Sequence, residues 1–206
     1  MSSSASPLLI YLHGFNSSPG SYKAQMLLRY LERLGAASHY LIPSLDHEPQ
    51  KAIADLQSLL DSKSDHTNIT LLGSSLGGYY ATHLAQQYPV RVVLINPAVN
   101  PAQTLERYLG VNQKFYSDDS YEFTRRHIEQ LAALKVAKIV DPSRYLVLLQ
   151  TGDETLDYRE AEAFYAACDV RVEKGGSHGY SDFEHVIPEI LAYAGLPSAE
   201  TKAKTS

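Results

Sequence analysis

Three residues far apart in the chain have the types that nucleophilic acyl chemistry needs: Ser75, Asp153 and His178. A serine hydroxyl is a weak nucleophile until a base takes its proton, and the base needs a carboxylate to fix its tautomer. Ser75 lies in "GSSLG", Gly73 to Gly77, which fits Gly-x-Ser-x-Gly directly after the apolar run "ITLL" and before an apparent helix. A strand that turns sharply into a helix at such a serine is a nucleophile elbow, and glycines beside the serine relieve the crowding that so tight a turn creates. Asp153 follows in "LLQTGDETLDY" and His178 in "EKGGSHGYSDF", each just past a later apolar run, in the order nucleophile, acid, base.

Each member has rivals. Glu154 and Asp157 stand within four residues of Asp153, but Glu154 points to the other side of an extended segment and Asp157 suits the cap of the following helix. Among the other histidines, His13, His39 and His47 flank the first two apolar runs, and His66 falls in a polar loop. His83 sits on the elbow helix, His127 in a long insertion and His185 in the last helix; His178 alone joins order, strand-end position and a glycine-rich loop. A negative charge developing on a substrate oxygen needs two donors. The backbone N–H of Leu76, after the nucleophile, is one candidate, and that of Phe15, in "HGFNSSP" after the first apolar run, is the other.

The glycine loop also admits a phosphate cradle or a plain turn. A lysine-bearing phosphate loop fails because no lysine follows the glycines, and the dinucleotide pattern fails because Ser75 occupies its second glycine position. No acidic residue ends the next apolar run, "VVLINP", to hold a ribose.

These residues need strand ends to hold them. Apolar runs recur as "LLIYL", "HYLIP", "NITLLG", "VRVVLINP", "RYLVLLQ" and "DVRVEKG". Helical spacing separates them at Ser21–Leu34, in "PQKAIADLQSLLDS", from the elbow to Tyr88, in "EAEAFYAAC", and from Asp182 to Ala194 with a possible kink at Pro188. Runs nearly continuous in Val, Ile and Leu mark parallel strands buried on both faces and joined by helices. The expected fold is therefore a three-layer α/β arrangement with a mostly parallel sheet of about six strands and ligands at the strands' carboxyl ends. The interval 98–143 is too long for one crossover and is expected to form a small, mostly helical cap that shapes access rather than chemistry. Residues 1–196 then form one domain, and 197–206 a polar tail.

Composition narrows the partners. A net charge of −5 offers no basic field for nucleic acid. No apolar run nears the roughly 18 residues of a membrane span. The single cysteine, Cys168, rules out an internal disulfide and suits a cytoplasmic location. Widely spaced histidines and the absence of a Cys/His cluster give no metal site, and nothing calls for a cofactor. Fifteen tyrosines are many; Tyr79, Tyr80, Tyr108, Tyr116 and Tyr121 fall near the elbow or in the insertion, and Tyr79, Tyr116 and Tyr121 are the candidates for an acyl pocket. Any one of them can equally cover the core edge.

Taken together, "LIYLHGFNSSP", "LLGSSLGGYYAT", "INPAV", "RRHI", "LLQTGDETLDYREA" and "GGSHGYSDFE" resemble the YqiA-type esterases, a family of small bacterial α/β-hydrolases. The resemblance runs from the first apolar run to the last helix. It implies an α/β-hydrolase fold and a serine hydrolase acting on carboxylic esters or thioesters, with Ser75, Asp153 and His178 as nucleophile, acid and base. The competing class is a hydrolase-fold protein that only binds a ligand or partner; such proteins usually lose a triad member, and all three candidates are present.

Overall fold

The computed structural model describes residues 6–63, 68–115 and 119–198. Its framework is β1 (Leu8–Leu12), α1 (Tyr22–Arg33), β2 (Tyr40–Leu41), α2 (Pro49–Ser62), β3 (Ile69–Ser74), α3 (Leu76–Leu84) and β4 (Arg91–Ile95). Then come α4 (Pro101–Thr104), β5 (Gly110–Gln113), β6 (Ser120–Phe123), α5 (Arg125–Ala133), β7 (Tyr145–Gln150), α6 (Tyr158–Phe164), β8 (Asp169–Glu173) and α7 (Ile187–Ala194). Among the described residues six strands form one parallel sheet in the order β2-β1-β3-β4-β7-β8.

The apolar runs are continuous because alternate residues enter different cores. Ile10, Leu71, Leu94 and Val147 pack on one face with Leu56 of α2, Leu84 of α3, Leu131 of α5 and Ala161 of α6. Their neighbours Leu9, Leu72, Val93 and Leu148 pack on the other with Leu27 of α1 and Ile190 of α7. Two cores back to back make the three layers. This is the α/β-hydrolase fold.

The chain leaves β1 toward β2 on one side and returns to β3 on the other, so strand order reverses between β1 and β3. Their register pairs Leu12 with Gly73, which sets the loops after both strands side by side. A crevice opens at such a switch point because the two loops diverge there.

Three local expectations change. The middle of the interval 98–143 is an antiparallel ribbon, β5 with β6, rather than helix. Only Asn112 and Phe123 of this ribbon are buried, while Val111 is 83% exposed. Pro188 does not kink the last helix: a 3-10 turn occupies Phe183–Val186, and Pro188 sits in the first turn of α7, where a missing N–H costs nothing. Cys168 lies past the end of α6, half-buried, and burial pushes its thiol up to about 11. No helix among the described residues is long and apolar enough to cross a membrane.

Candidate active site

Ser75 sits between β3 and α3 with φ 54° and ψ −119°, a left-handed backbone that costs a non-glycine residue about 1–3 kcal/mol. Neighbouring strands hold it there: its N–H donates to the Ile95 carbonyl (3.1 Å), and its carbonyl accepts from Gly78 (2.9 Å) and Ala98 (3.1 Å). The elbow also packs α3 against β1. A Cβ on Gly77 would lie 2.0 Å from the Leu12 carbonyl oxygen, so no side chain fits.

The three candidates converge. The Ser75 hydroxyl lies 3.1 Å from Nε2 of His178, and His178 Nδ1 lies 2.8 Å and 3.0 Å from the two oxygens of Asp153. With Nδ1–H donating to the carboxylate, Nε2 is left to accept the serine proton. The Asp153 side chain is 2% exposed, and its Oδ1 also accepts from the N–H groups of Thr155 and Leu156, both at 2.8 Å. Asp157 instead caps α6 through the Arg159 N–H, as its place in the sequence suggests. Glu154 has a task that sequence reasoning missed: its carboxylate accepts the backbone N–H of His178 at 2.9 Å. That bond holds the Glu154 carboxyl below its usual range.

The loop carrying His178 is fastened by two buried amides at strand ends. Asn96, at φ 41° after β4, donates to the carbonyls of Ser177 (3.0 Å) and His178 (3.2 Å) and accepts the Gln150 N–H (3.0 Å). Gln150, closing β7, accepts from Ser177 (3.1 Å) and Ser181 (2.8 Å) and donates to Glu173 (2.9 Å). The chain passes so close that a Cβ on Gly176, itself at φ 79°, would fall 2.0 Å from the Gln150 side-chain oxygen. The only sequence signal for either amide is a polar residue ending an apolar run.

The loop after β1 is held differently. A Cβ on Gly14 would stand 3.3 Å from that of Ser75, so this backbone borders the elbow serine. Phe15 packs its ring against Phe123 and Tyr108, with centroids 5.2 and 5.3 Å apart. Asn16, at φ 57°, accepts from the Tyr121 hydroxyl, donates to Asn112 (3.2 Å) and accepts the Phe115 N–H at its carbonyl (2.8 Å). The β5–β6 ribbon thus clamps the segment next to Phe15. Leu76 opens α3, so its N–H precedes the helical hydrogen-bond ladder.

A cavity of about 370 Å³ opens onto Ser75 and His178. Gly14, Phe15 and Leu76 line it, with Ala98, Leu105, Tyr108 and Phe115 from the interval 98–143. The tyrosine candidates separate. Tyr79 is buried and donates to the Leu131 carbonyl (2.7 Å), which ties α3 to α5. Tyr121 faces a small space behind Phe15, and Tyr116 lies outside the described residues. Tyr11, Tyr22 and Tyr108 line the cavity instead.

Most other histidines have structural partners. Buried His13 accepts the Leu45 N–H at Nε2 (3.2 Å), and burial keeps it below its usual pKa. His39 bonds the Pro7 carbonyl through Nδ1 (3.1 Å), His83 bonds the Leu134 carbonyl, and His127 closes a capping box with Thr124. His185 pairs with Glu173, and His47 packs at a tilt against Tyr121, ring centres 4.4 Å apart. His66 lies outside the described residues. No cluster of metal-ligating side chains occurs among the described residues.

Residues 8–195 match the family model described as "Uncharacterised protein family (UPF0227)". The UPF0227 protein YcfP of Salmonella arizonae is 25% identical over 92% of this chain and 99% of its own. Alpha/beta hydrolase domain-containing protein 10 from mouse superposes with TM-score 0.70 at 18% identity, covering 91% of this chain and 89% of the other. An esterase domain from a Rhodothermus marinus protein gives TM-score 0.63 at 19% identity over 91% and 86%. Likeness at this level of identity extends to the fold.

Proposed function

The chain belongs to the UPF0227 family, and from that membership and the chemistry of the crevice we propose that it is a serine hydrolase cleaving carboxylic esters or thioesters of acyl groups. One observation carries the reading: the unbroken relay from Asp153 to His178 (2.8 Å) and on to the Ser75 hydroxyl (3.1 Å), with the hydroxyl facing the cavity. The esterase domain among its structural neighbours accords with it.

In this reading His178 Nε2 accepts the Ser75 proton as Oγ attacks the substrate carbonyl. Asp153 holds the imidazole through Nδ1 and stabilises the imidazolium. The N–H groups of Phe15 and Leu76 carry the charge on the carbonyl oxygen. His178 returns the proton to the departing alcohol or thiol, and an ester of Ser75 remains. Water, deprotonated by His178, then repeats the attack and releases the acid. The interval 98–143 acts as a cap, since Leu105, Tyr108 and Phe115 form one wall of the cavity.

The test is turnover of 4-nitrophenyl butyrate. The wild type should hydrolyse it, and Ser75→Ala should not. Ser74→Ala should keep most activity, since the side chain at that elbow position only has to fit the turn. Equal activity of wild type and folded Ser75→Ala would overturn the reading.

A further inference from the structure

The cavity has a charge that the triad does not use. Lys23, on α1, lines it beside the base: its ammonium donates to the carbonyl of Gly179, the residue after His178, at 2.9 Å. Arg107 lines the cavity from the cap, its guanidinium 5.2 Å from the centre of the Tyr108 ring. No Asp or Glu side chain lines the cavity among the described residues. The carboxylate whose field Lys23 feels is Asp153, and its oxygens are already occupied by His178, Thr155 and Leu156. A neutral acyl ester would leave the half-buried Lys23 ammonium without a compensating anion when it displaced water from this space, while Arg107 stays solvated at the rim.

We propose that Lys23, assisted by Arg107, makes the cavity selective for esters or thioesters that carry a carboxylate as a second group. This rests on the serine-hydrolase reading above and adds the substrate class. Two single cations, one half-buried and one on an exposed turn, suit one negative charge rather than a polyanion. The carboxylate can belong to the acyl part or to the leaving part, because Lys23 stands next to the loop whose histidine serves both. Burial holds Lys23 down at about 8, opposed by the attraction of Asp153. The groups facing its ammonium are the Gly179 carbonyl and the His178 loop after β8, and Asp153 after β7. An anion entering the cavity supplies what that desolvated ammonium lacks.

Two matched pairs of esters separate the sources of charge. Monoethyl adipate against diethyl adipate places the carboxylate on the acyl side, and 4-(butyryloxy)benzoate against its methyl ester places it on the leaving side. The readout is the ratio of kcat/KM for the charged ester to that for the neutral one, compared between variants so that intrinsic reactivity cancels. K23Q keeps a donor for the Gly179 carbonyl but loses the charge; K23R keeps both. In at least one pair the ratio should fall about ten-fold in K23Q and survive in K23R, with a smaller fall in R107Q. In the wild type the same ratio should decline as pH rises through about 8, because deprotonated Lys23 carries no charge; both esters share the His178 base, so its titration cancels. That pH series needs no variant to fold. A ratio unchanged in folded K23Q would make Lys23 a tether of the His178 loop only and overturn the proposal, as would a ratio flat all the way from pH 7 through the ordinary lysine value of 10.5. Labelling of Ser75 by a fluorophosphonate alongside charged-to-neutral ratios that neither K23Q nor R107Q lowers in either pair would refute the substrate class and leave the hydrolase reading intact. Failure to label and to turn over any of the four esters would remove both.

Discussion

The loops on either side of Ser75 are held by opposite means. The His178 loop is pinned from inside the sheet, where Asn96 and Gln150, 3% and 4% exposed, bond its backbone from the ends of β4 and β7. The Phe15 loop is pinned from outside, by Tyr121, Asn112 and Phe115 of a two-stranded ribbon. Buried amides in a parallel sheet have few alternative partners, and leaving one unpaired costs about 1–3 kcal/mol. A two-stranded ribbon has marginal stability of its own. His178, the proposed base, therefore inherits the rigidity of the sheet, whereas the loop of Phe15, the proposed oxyanion donor, depends on the interval 98–143. Trimming Asn112 to Glu122 should accordingly lower kcat as well as alter acyl preference, a change from the expectation that the insertion bears on acyl preference and KM more than on the chemical step.

The comparison can be broken at each side. Asp153→Asn should cost most, about 10⁴ in kcat, because an amide favours the wrong histidine tautomer; measurement on a folded variant with a short activated ester checks it. Asp157→Asn should cost little, since Asn also caps a helix and the residue touches α6 rather than His178. A large loss from Asp157→Asn with Asp153→Asn active would move the acid four residues on. Asn96→Ala comes next. It frees the His178 loop and orphans the Gln150 N–H, so kcat should fall about 10–100-fold and stability by about 1–3 kcal/mol, read from steady-state kinetics and denaturant unfolding.

Tyr121→Phe removes one bond from Asn16 while Asn112 and Phe115 remain, and should lower kcat only about two- to ten-fold with stability nearly unchanged. Its signature is weaker affinity for a boronic acid that mimics the tetrahedral intermediate, at constant KM. A larger loss from Tyr121→Phe than from Asn96→Ala would invert the comparison.

The smallest effect concerns His185, whose pKa is raised by its hydrogen bond to Glu173. A raised folded pKa means that the folded chain holds the proton more tightly. The stabilisation is full below the ordinary histidine value of 6.5 and is lost as pH rises through the raised one. His185→Gln should thus lower the unfolding midpoint slightly at pH 5.5 and not at pH 8.5; equal shifts at both would remove the ionic part of the contact. Exposure of both side chains keeps the effect small.

The difference between the loops also governs how much the sequence discloses. The central strands are legible because both-face burial forces continuous Val, Ile and Leu runs, and Ser75 and Asp153 each follow such a run in a glycine-bearing turn; His178 follows the half-exposed edge strand β8 and is legible from its glycine-rich loop and its place in the chain order. The ribbon is not. Both strands alternate in burial, but each is only four residues long, and "GVNQ" inverts the polarity by burying Asn112 and exposing Val111, so the pattern in "SYEF" has no partner that the sequence marks as a strand. Asn96 and Gln150 are visible as strand ends, yet a sequence does not tell that an amide is buried or which backbone it meets. In an extended segment Glu154 points away from Asp153, and the bend that brings its carboxylate to the His178 N–H is a tertiary contact across 24 residues that local sequence does not encode. Lys23 reads as an ordinary polar position on α1 until the fold brings it to Gly179.

The proposed role of Ser75 is that of a nucleophile activated by this relay. Its most direct measurement is reaction of the folded chain with a fluorophosphonate, followed by intact mass and peptide mapping. One adduct per chain on Ser75, absent in Ser75→Ala and formed far more slowly in Asp153→Asn, is the predicted result. An unlabelled folded wild type, or an adduct that maps to Ser74 and persists in Ser75→Ala, would contradict it.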